Sequence, residues 1–542
     1  MSLVLALLTV ALLGNRCGGG SGSGGSPPRV RVPADECTLF RSEFPAGFDF
    51  LPGSDGHAVA IESAPAAAIF LDIEGDVPAL LEDDEIQAVP PDSDGDGQSD
   101  EDQRLCGADA TSKSATLGPP LGVSNHTAFV PSSGFEQVMF FAAPDGRLLE
   151  FDVSNPPNPA SGDYYGEDYP YLPADEGGRT AVSTKACVYL TPDTGIPDAT
   201  STGDAIGQHV CCDRVPGVPS YMTSFTAGMA LAAGHLFVAT SNLDLPEAYR
   251  GRYFPGTLLV YDYDPDVDPR AIQPNTETPL LFTTGFNPTG VSSYTTPRGR
   301  ELVLVANTGA NRVGVGASNI LTEAFIDVID AASRRLVATV PMGLAGLSFD
   351  GLAIDPLKRV ALVGSWTLRV MYAIDLRVFD DEDLYLGSDI VVLDGSDPVF
   401  PDARIFHADA PFEVPDREDG PHPLLCEGWT QAAINAAGDR AYVTDRCDGT
   451  LTEMRLLEPT ESCAAAGSTD DCCDRIPLPA SCFETGLVRE ITDISTASVE
   501  KHDPSQIRVR PGEPGIDYAG PDVFFIVNSP EGRLCNLRVD SF

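Results

Sequence analysis

Apolar residues fall along this chain in short β-type runs broken by Asp, Gly and Pro, and several of the runs end alike, in a large hydrophobe followed by Asp. The phrase closes the segments Ile69–Asp72, Leu149–Asp152, Leu259–Asp262, Asp327–Asp330, Val391–Asp394 and Leu537–Asp540. A strand-turn-strand unit repeated at irregular spacing marks a radial β array, because each unit is too small to bury its own apolar face and must stack on its neighbours.

Seven such units can be set out over residues 44–542. In the first, Phe48–Leu51 passes through Ser54-Asp55-Gly56 into His57–Ile61, and in the second Val138–Phe141 turns at Pro144-Asp145-Gly146 into Leu148–Phe151. Turns rich in Asp and Gly between two β runs predict hairpins. The third unit joins Leu236–Thr240 to Leu258–Tyr261. The fourth has Asn287–Val291, Leu302–Asn307, Phe325–Asp330 and Leu336–Val340. The fifth reads Gly351–Asp355, Val360–Val363 and a return interrupted until Asp394. The sixth turns at Ala437-Gly438-Asp439 between Ala432–Asn435 and Ala441–Thr444, and the seventh at Pro530-Glu531-Gly532 between Val523–Asn528 and Leu534–Asp540. The pattern predicts an all-β chain, a seven-bladed β-propeller with long disulfide-containing insertions, with a two-sheet sandwich array as the competing architecture.

Insertions are expected at about residues 76–120, 156–220 and 459–502, rich in Pro, Gly and Asp, leaving the faces of the array to build a lid or binding surface. Ahead of the units, residues 1–26 read as an export signal or tether and 27–43 as a linker. Leu3–Leu13 is an apolar stretch too short to span a bilayer, and Cys17 opens a run of Gly and Ser through Ser26. The segment resembles a bacterial lipoprotein signal, which implies acylation of Cys17; ordinary cleavage nearby is the alternative.

The net charge of −46, from 80 acidic against 34 basic residues, sets a field that repels phosphate backbones and anionic head groups. Nucleic acid is therefore not an expected partner, membrane contact is expected only through a lipid anchor, and divalent cations are expected. Thirteen cysteines, with Cys17 set aside, leave twelve to pair, which fits an oxidising compartment. Localisation is expected to be the cell envelope or the extracellular medium.

One segment carries metal chemistry. Asp92, Asp94, Asp96 and Asp100 stand at the first, third, fifth and ninth places of a calcium loop, Gly97 permits the turn at the sixth, and Gln98 offers its carbonyl at the seventh. The run resembles thrombospondin type-3 and other extracellular calcium loops, which implies calcium as the bound ion. Gln103 stands at the twelfth place instead of Glu, so an affinity on the order of 0.1 to 1 mM is expected.

The motif Cys-Cys-Asp-Arg repeats at Cys211–Arg214 and Cys472–Arg475, and predicts duplicated disulfide knots, the first using Cys187 and the second Cys463 or Cys482; vicinal cysteines as a redox or metal site are the alternative. Cys426 and Cys447 flank the Ala437-Gly438 hairpin almost symmetrically and are expected to pair across it. The histidines have no metal-ligand spacing, and His57 and His235 stand at turn-to-strand positions where exposure is expected. Neither a Gly-x-Ser-x-Gly elbow nor a His-Glu-x-x-His helix occurs in the sequence.

The fourth unit resembles the YVTN-type propeller blade: a Pro-x-Gly opening at Pro288–Gly290, a run ending in Ala306-Asn307, then a strand ending in Asp330. The resemblance implies a lactonase-like propeller whose ligands enter the mouth of the central channel. Asn287, Thr289, Ser348, Asp350, Glu427 and Trp429 are the candidate lining residues, with a packing role as the alternative. The expected function is an exported binding or scaffolding module for an unknown protein or small-molecule ligand; alternatives are a lactonase-like hydrolase with a metal at the channel mouth, or a calcium-dependent adhesion protein.

Overall fold

A computed structural model describes thirty-four strands between Arg29 and Leu537, a 3-10 helix at Leu376–Phe379 and short connections around them, most continuously over residues 226–242, 272–310 and 322–344. Two short strands come first, β1 (Arg29–Val32) and β2 (Cys37–Leu39). The first sheet is antiparallel β3 (Glu43–Phe50), β4 (His57–Ala64) and β5 (Ala66–Asp72), with β6 (Ala79–Leu80) and β7 (Ile86–Gln87) both on the edge of β5. The second is β8 (Thr127–Pro131), β9 (Gln137–Ala142), β10 (Arg147–Asp152) and β11 (Thr180–Ser183). A two-stranded ladder of β12 (Cys187–Tyr189) and β13 (Ser220–Met222) follows.

The third sheet comprises β14 (Thr226–Ala232), β15 (His235–Thr240) and β16 (Pro255–Tyr263), whose far edge is shared by β17 (Ile272–Pro274) and β18 (Leu280–Phe286). The fourth is β19 (Pro288–Thr295), β20 (Glu301–Asn307), β21 (Ala324–Asp330) and β22 (Arg335–Gly343). The fifth is β23 (Ala353–Asp355), β24 (Val360–Gly364) and β25 (Val370–Asp375), extended by β27 (Phe412–Glu413), while β26 (Val391–Val392) pairs in parallel with β22 of the fourth. The sixth is β28 (Thr430–Ile434), β29 (Arg440–Asp445), β30 (Thr450–Leu456) and β31 (Phe483–Ile491), with β1 parallel on the edge of β31. The last is β32 (Pro504–Val509), β33 (Val523–Val527) and β34 (Arg533–Leu537), completed by β2.

From the second sheet onward, the first strand of each sheet touches the first strand of the next. Contacts run from β8 to β14, β19, β23, β28 and β32, and β32 touches β3 of the first sheet. Chain order is thus preserved in space and its two ends meet.

Side-chain alternation explains the stacking. In β20, Leu302, Leu304 and Ala306 enter one cluster, shared with Ala361, Val363, Tyr372 and Ile374 of the fifth sheet. Val303 and Val305, on the opposite face, pack with Phe237, Ala239, Leu258 and Val260 of the third. The same split recurs in β24, where Val360 and Leu362 join Ala441 and Val443 of the sixth sheet while Ala361 and Val363 face the fourth. A strand buried on both faces needs an unbroken apolar run instead of an alternating one, which is why Leu302–Ala306 is wholly apolar. Each fully buried Val, Leu or Phe in these runs contributes about 1.5–3 kcal/mol.

The strand map differs from the sequence reading at the edges. The stretch 27–43 contains β1 and β2, and both lie in sheets formed by the far end of the chain. The stretches 76–120, 156–220 and 459–502 contain β6, β7, β11, β12 and all of β31. The return strand of the fifth unit is Val370–Asp375, and Val391–Val392 belongs to the fourth sheet. The seventh unit starts earlier, at β32. β1 and β2 are short outer strands whose ladder is completed by a partner far away in sequence, so local pattern carries little of their signal.

Candidate functional site

The candidate pocket residues Asn287 and Thr289 stand where β19 begins, at the end of the sheets where β15 and β20 finish. Both are buried. Asn287 adopts φ 55°, a left-handed conformation that Asn tolerates better than most residues, and this turns the chain from β18 into β19. Its carbonyl accepts from the amide of Thr308 at 3.0 Å, and the Phe286 carbonyl accepts from Gly309 at 3.0 Å.

A chain of hydroxyls crosses this end. Thr308 donates to the Leu347 carbonyl at 3.1 Å, which uses its single proton, so the Thr289 hydroxyl donates to Thr308 Oγ1 across their 2.7 Å contact. Ser241, just past β15, donates to the Pro288 carbonyl at 3.1 Å and so joins the third sheet to the fourth. Asn242 donates from Nδ2 to the Pro255 carbonyl at 2.7 Å and to Thr257 Oγ1 at 3.0 Å, and Thr257 also contacts the hydroxyl of Thr240. Along β19, Ser292 donates to the Leu352 carbonyl and accepts from the Leu352 amide, both at 3.0 Å, tying the fourth sheet to the fifth. Among the described residues, successive sheets are therefore braced by hydroxyl-to-backbone bonds, the third to the fourth through Ser241 and the fourth to the fifth through Ser292.

The other end of the same sheets is charged. His235 opens β15 directly opposite Asp262 near the end of β16, and His235 Nδ1 lies 2.9 Å from Asp262 Oδ1. Arg334, in the β21–β22 turn of the next sheet, approaches His235 Nε2 with Nη1 at 3.1 Å and Glu277 Oε2 with Nη2 at 2.5 Å. Arginine only donates, so Nε2 accepts and the imidazole proton sits on Nδ1, facing Asp262. Burial pushes the His235 pKa below its ordinary value; Asp262 works against this and the Arg334 charge adds to it. His235 is thus held in the interior edge of the array, 13% exposed, where the sequence reading expected exposure.

The hydrophobe–Asp phrase acquires a physical role here. Asp330, ending β21, accepts from Arg300 Nε at 2.6 Å and from the Ser333 amide at 2.8 Å, so one carboxylate caps the β21–β22 turn and fastens it to the β19–β20 turn. The amide and Arg300 bonds hold its pKa below the usual carboxylate value against the opposing effect of burial. Asp262 does the equivalent work in the third sheet, between His235 and Asn275 Nδ2 at 2.6 Å.

Of the other sequence-predicted residues, Ser348, Asp350, Glu427 and Trp429 lie outside the described residues, as do Asp92, Asp94, Asp96, Gln98 and Asp100, the lipidation candidate Cys17, and Cys426 with Cys447. Cys187 is described and is disulfide-bonded. Sequence reasoning missed Ser241, Asn242 and Thr308; the signal lay in two parallel endings, Ala239-Thr240-Ser241-Asn242 after β15 and Ala306-Asn307-Thr308-Gly309 after β20.

Small antiparallel sheets taken consecutively from the chain, packed face to face and touching through their first strands, define a β-propeller. No protein-family model matches the chain, and no curated protein matches it. Among solved structures, the chain is similar to hydrazine synthase of Kuenenia stuttgartiensis, with a TM-score of 0.46 and 10% identity over 93% of this chain and 98% of that one. It is also similar to the Cps50 (Swd1) β-propeller domain of Myceliophteria thermophila, with a TM-score of 0.42 and 9% identity over 93% and 99%. The periplasmic gluconolactonase of Pseudomonas aeruginosa gives a TM-score of 0.32 and 12% identity over 63% and 75%. Likenesses at this level concern the path of the chain and carry no chemistry.

Proposed function

We propose that the protein is an exported β-propeller of seven blades, tethered at a surface through Cys17, that serves as a binding or scaffolding module. The blades of this reading are the sheets opened by β3, β8, β14, β19, β23, β28 and β32. The observation that carries it is how the hydroxyls are spent: Ser241 and Ser292 reach backbone carbonyls of the next sheet, Thr289 bonds Thr308 within the fourth sheet and Thr308 bonds the Leu347 carbonyl beyond it, which favours a stiff platform over a cavity of convergent free donors. The insertions around residues 76–120, 156–220 and 459–502 then supply the recognition surface for a protein or small-molecule ligand.

Export is supported by the disulfide at Cys187, since disulfides persist in oxidising compartments. Calcium, held by Asp92, Asp94, Asp96, Asp100 and the Gln98 carbonyl, orders the first insertion in this reading. The test is metal analysis of the purified full-length chain, followed by mapping of the ion. Calcium held at Asp92–Asp100 alone supports the scaffold; a second ion over the propeller axis, with hydrolysis of lactones, overturns it in favour of an enzyme.

A further inference from the structure

We propose that Cys37 and Cys535 form a cross-strand disulfide that locks the two ends of the chain together and seals the ring. β2 is the N-terminal strand that completes the last sheet, and its register on antiparallel β34 sets Cys37 opposite Cys535, Thr38 opposite Leu534 and Leu39 opposite Arg533. Directly opposed residues of an antiparallel pair share a face of the sheet and have Cα atoms about 4.5 or 5.5 Å apart, depending on the hydrogen-bonding phase. Both separations fall inside the roughly 4.4–6.8 Å window that a disulfide spans. Placement by register alone therefore brings the two cysteines to bonding range with no backbone movement.

The location gives the bond its consequence. β1 on β31 and β2 on β34 are the places where the N-terminal segment is laid into sheets built from the far end of the chain. A Cys37–Cys535 bond would enclose nearly the whole polypeptide in one covalent loop, so opening the ring at that seam would first require reduction. The step is thiol–disulfide exchange with a disulfide-bearing donor, protein or small molecule: the two thiols lose two protons and two electrons, an S–S bond forms between them, and the donor disulfide is cleaved to two thiols. The proposal takes its oxidant from the export reading but its geometry from the sheet alone.

Trypsin separates the two cysteines cleanly, since residues 32–41 and 534–538 are released as fragments with one cysteine each. The full-length chain is isolated from its native compartment, its free thiols are blocked with N-ethylmaleimide, and it is digested without reduction and analysed by mass spectrometry. A second sample is equilibrated with oxidised glutathione before blocking. The expected result is a single species joining the two fragments in both samples, with Cys37→Ser liberating Cys535 for alkylation. Linkage only after glutathione treatment sustains the disulfide and contradicts export. Alkylated Cys37 and Cys535 in both samples, or either one joined to a different cysteine, overturns the proposal.

Discussion

Thr284 donates its backbone amide to Asp327 Oδ2 at 2.7 Å, and this bond joins the outer strand of the third sheet to the third strand of the fourth. Asn307 Nδ2 donates to the same oxygen at 2.9 Å. Asp327 is fully buried, and desolvation pushes its pKa up despite those donors. A carboxylate has been placed between two sheets at an energetic cost, and its oxygen satisfies the amide of Thr284, which lies where β18 breaks register with β16.

Asp327→Ala should therefore cost about 1–3 kcal/mol, because the buried Asn307 side-chain amide and the part-buried Thr284 amide lose their acceptor. Asp327→Asn keeps an acceptor without the charge. A carboxyl whose folded pKa is raised contributes stability that is present below its unfolded value and lost as pH rises through the folded one. The stability of the Asn variant relative to the wild type should accordingly rise as pH increases from about 3.8 through the folded pKa and be constant above it, read by urea denaturation across that range.

His235 makes the opposite kind of contribution. Its folded pKa lies below the ordinary 6.5, so the folded chain keeps it neutral while the unfolded chain takes up a proton. Its share of the stability is complete above 6.5 and is lost as pH falls from there through the folded pKa. His235→Gln should flatten this part of the pH profile of the thermal midpoint and leave the midpoint at pH 8 lowered by the loss of the Arg334 contact.

Gly228 tests the tightness of the ring. A Cβ at that position in β14 would sit 2.6 Å from the Thr289 carbonyl oxygen and 2.6 Å from the Val291 amide of β19, both backbone atoms of the neighbouring inner strand. Gly228→Ala should destabilise the fold by about 1–3 kcal/mol, as overpacking does, read by thermal denaturation. In hydrogen exchange, the amides of β14 and β19 should lose protection ahead of those in β20.

Calcium binding offers a check confined to one insertion. Titration calorimetry of the full chain should give a Kd on the order of 0.1–1 mM, and Asp94→Asn combined with Asp96→Asn should abolish the heat while leaving the far-ultraviolet spectrum of the sheets unchanged.

Much of this fold was legible because the second strands of the sheets are buried on both faces. Runs such as Leu302–Ala306 and Leu236–Ala239 need no tertiary information to be read as strands, and the Asp that ends the third strand repeats because Asp330 and Asp262 each fasten two turns at the same end of a sheet. The same phrase also occurs as Ile374-Asp375 at the end of β25, while Val391–Val392 of the Val391–Asp394 run pairs in parallel with the fourth sheet, so the phrase alone does not tell which strand closes a unit. β1 and β2 were illegible for a related reason. Strands of four and three residues have no pattern to show, and their partners β31 and β34 lie at the opposite end of the sequence. Of the candidate site, Asn287 and Thr289 were found through the Pro-x-Gly opening, but their commitment to Thr308 depends on a pairing between β19 and β20 that spacing alone does not disclose.

The central claim is a closed ring whose seam joins the first sheet to the last. An experimental density map of the full-length protein, fine enough to separate strands about 4.8 Å apart, tests it most directly. The expected map has seven small sheets around one axis, with residues 37–39 laid against residues 533–535 in the last of them. Two sheets packed as a sandwich, or an array whose first and last sheets do not touch, would contradict it.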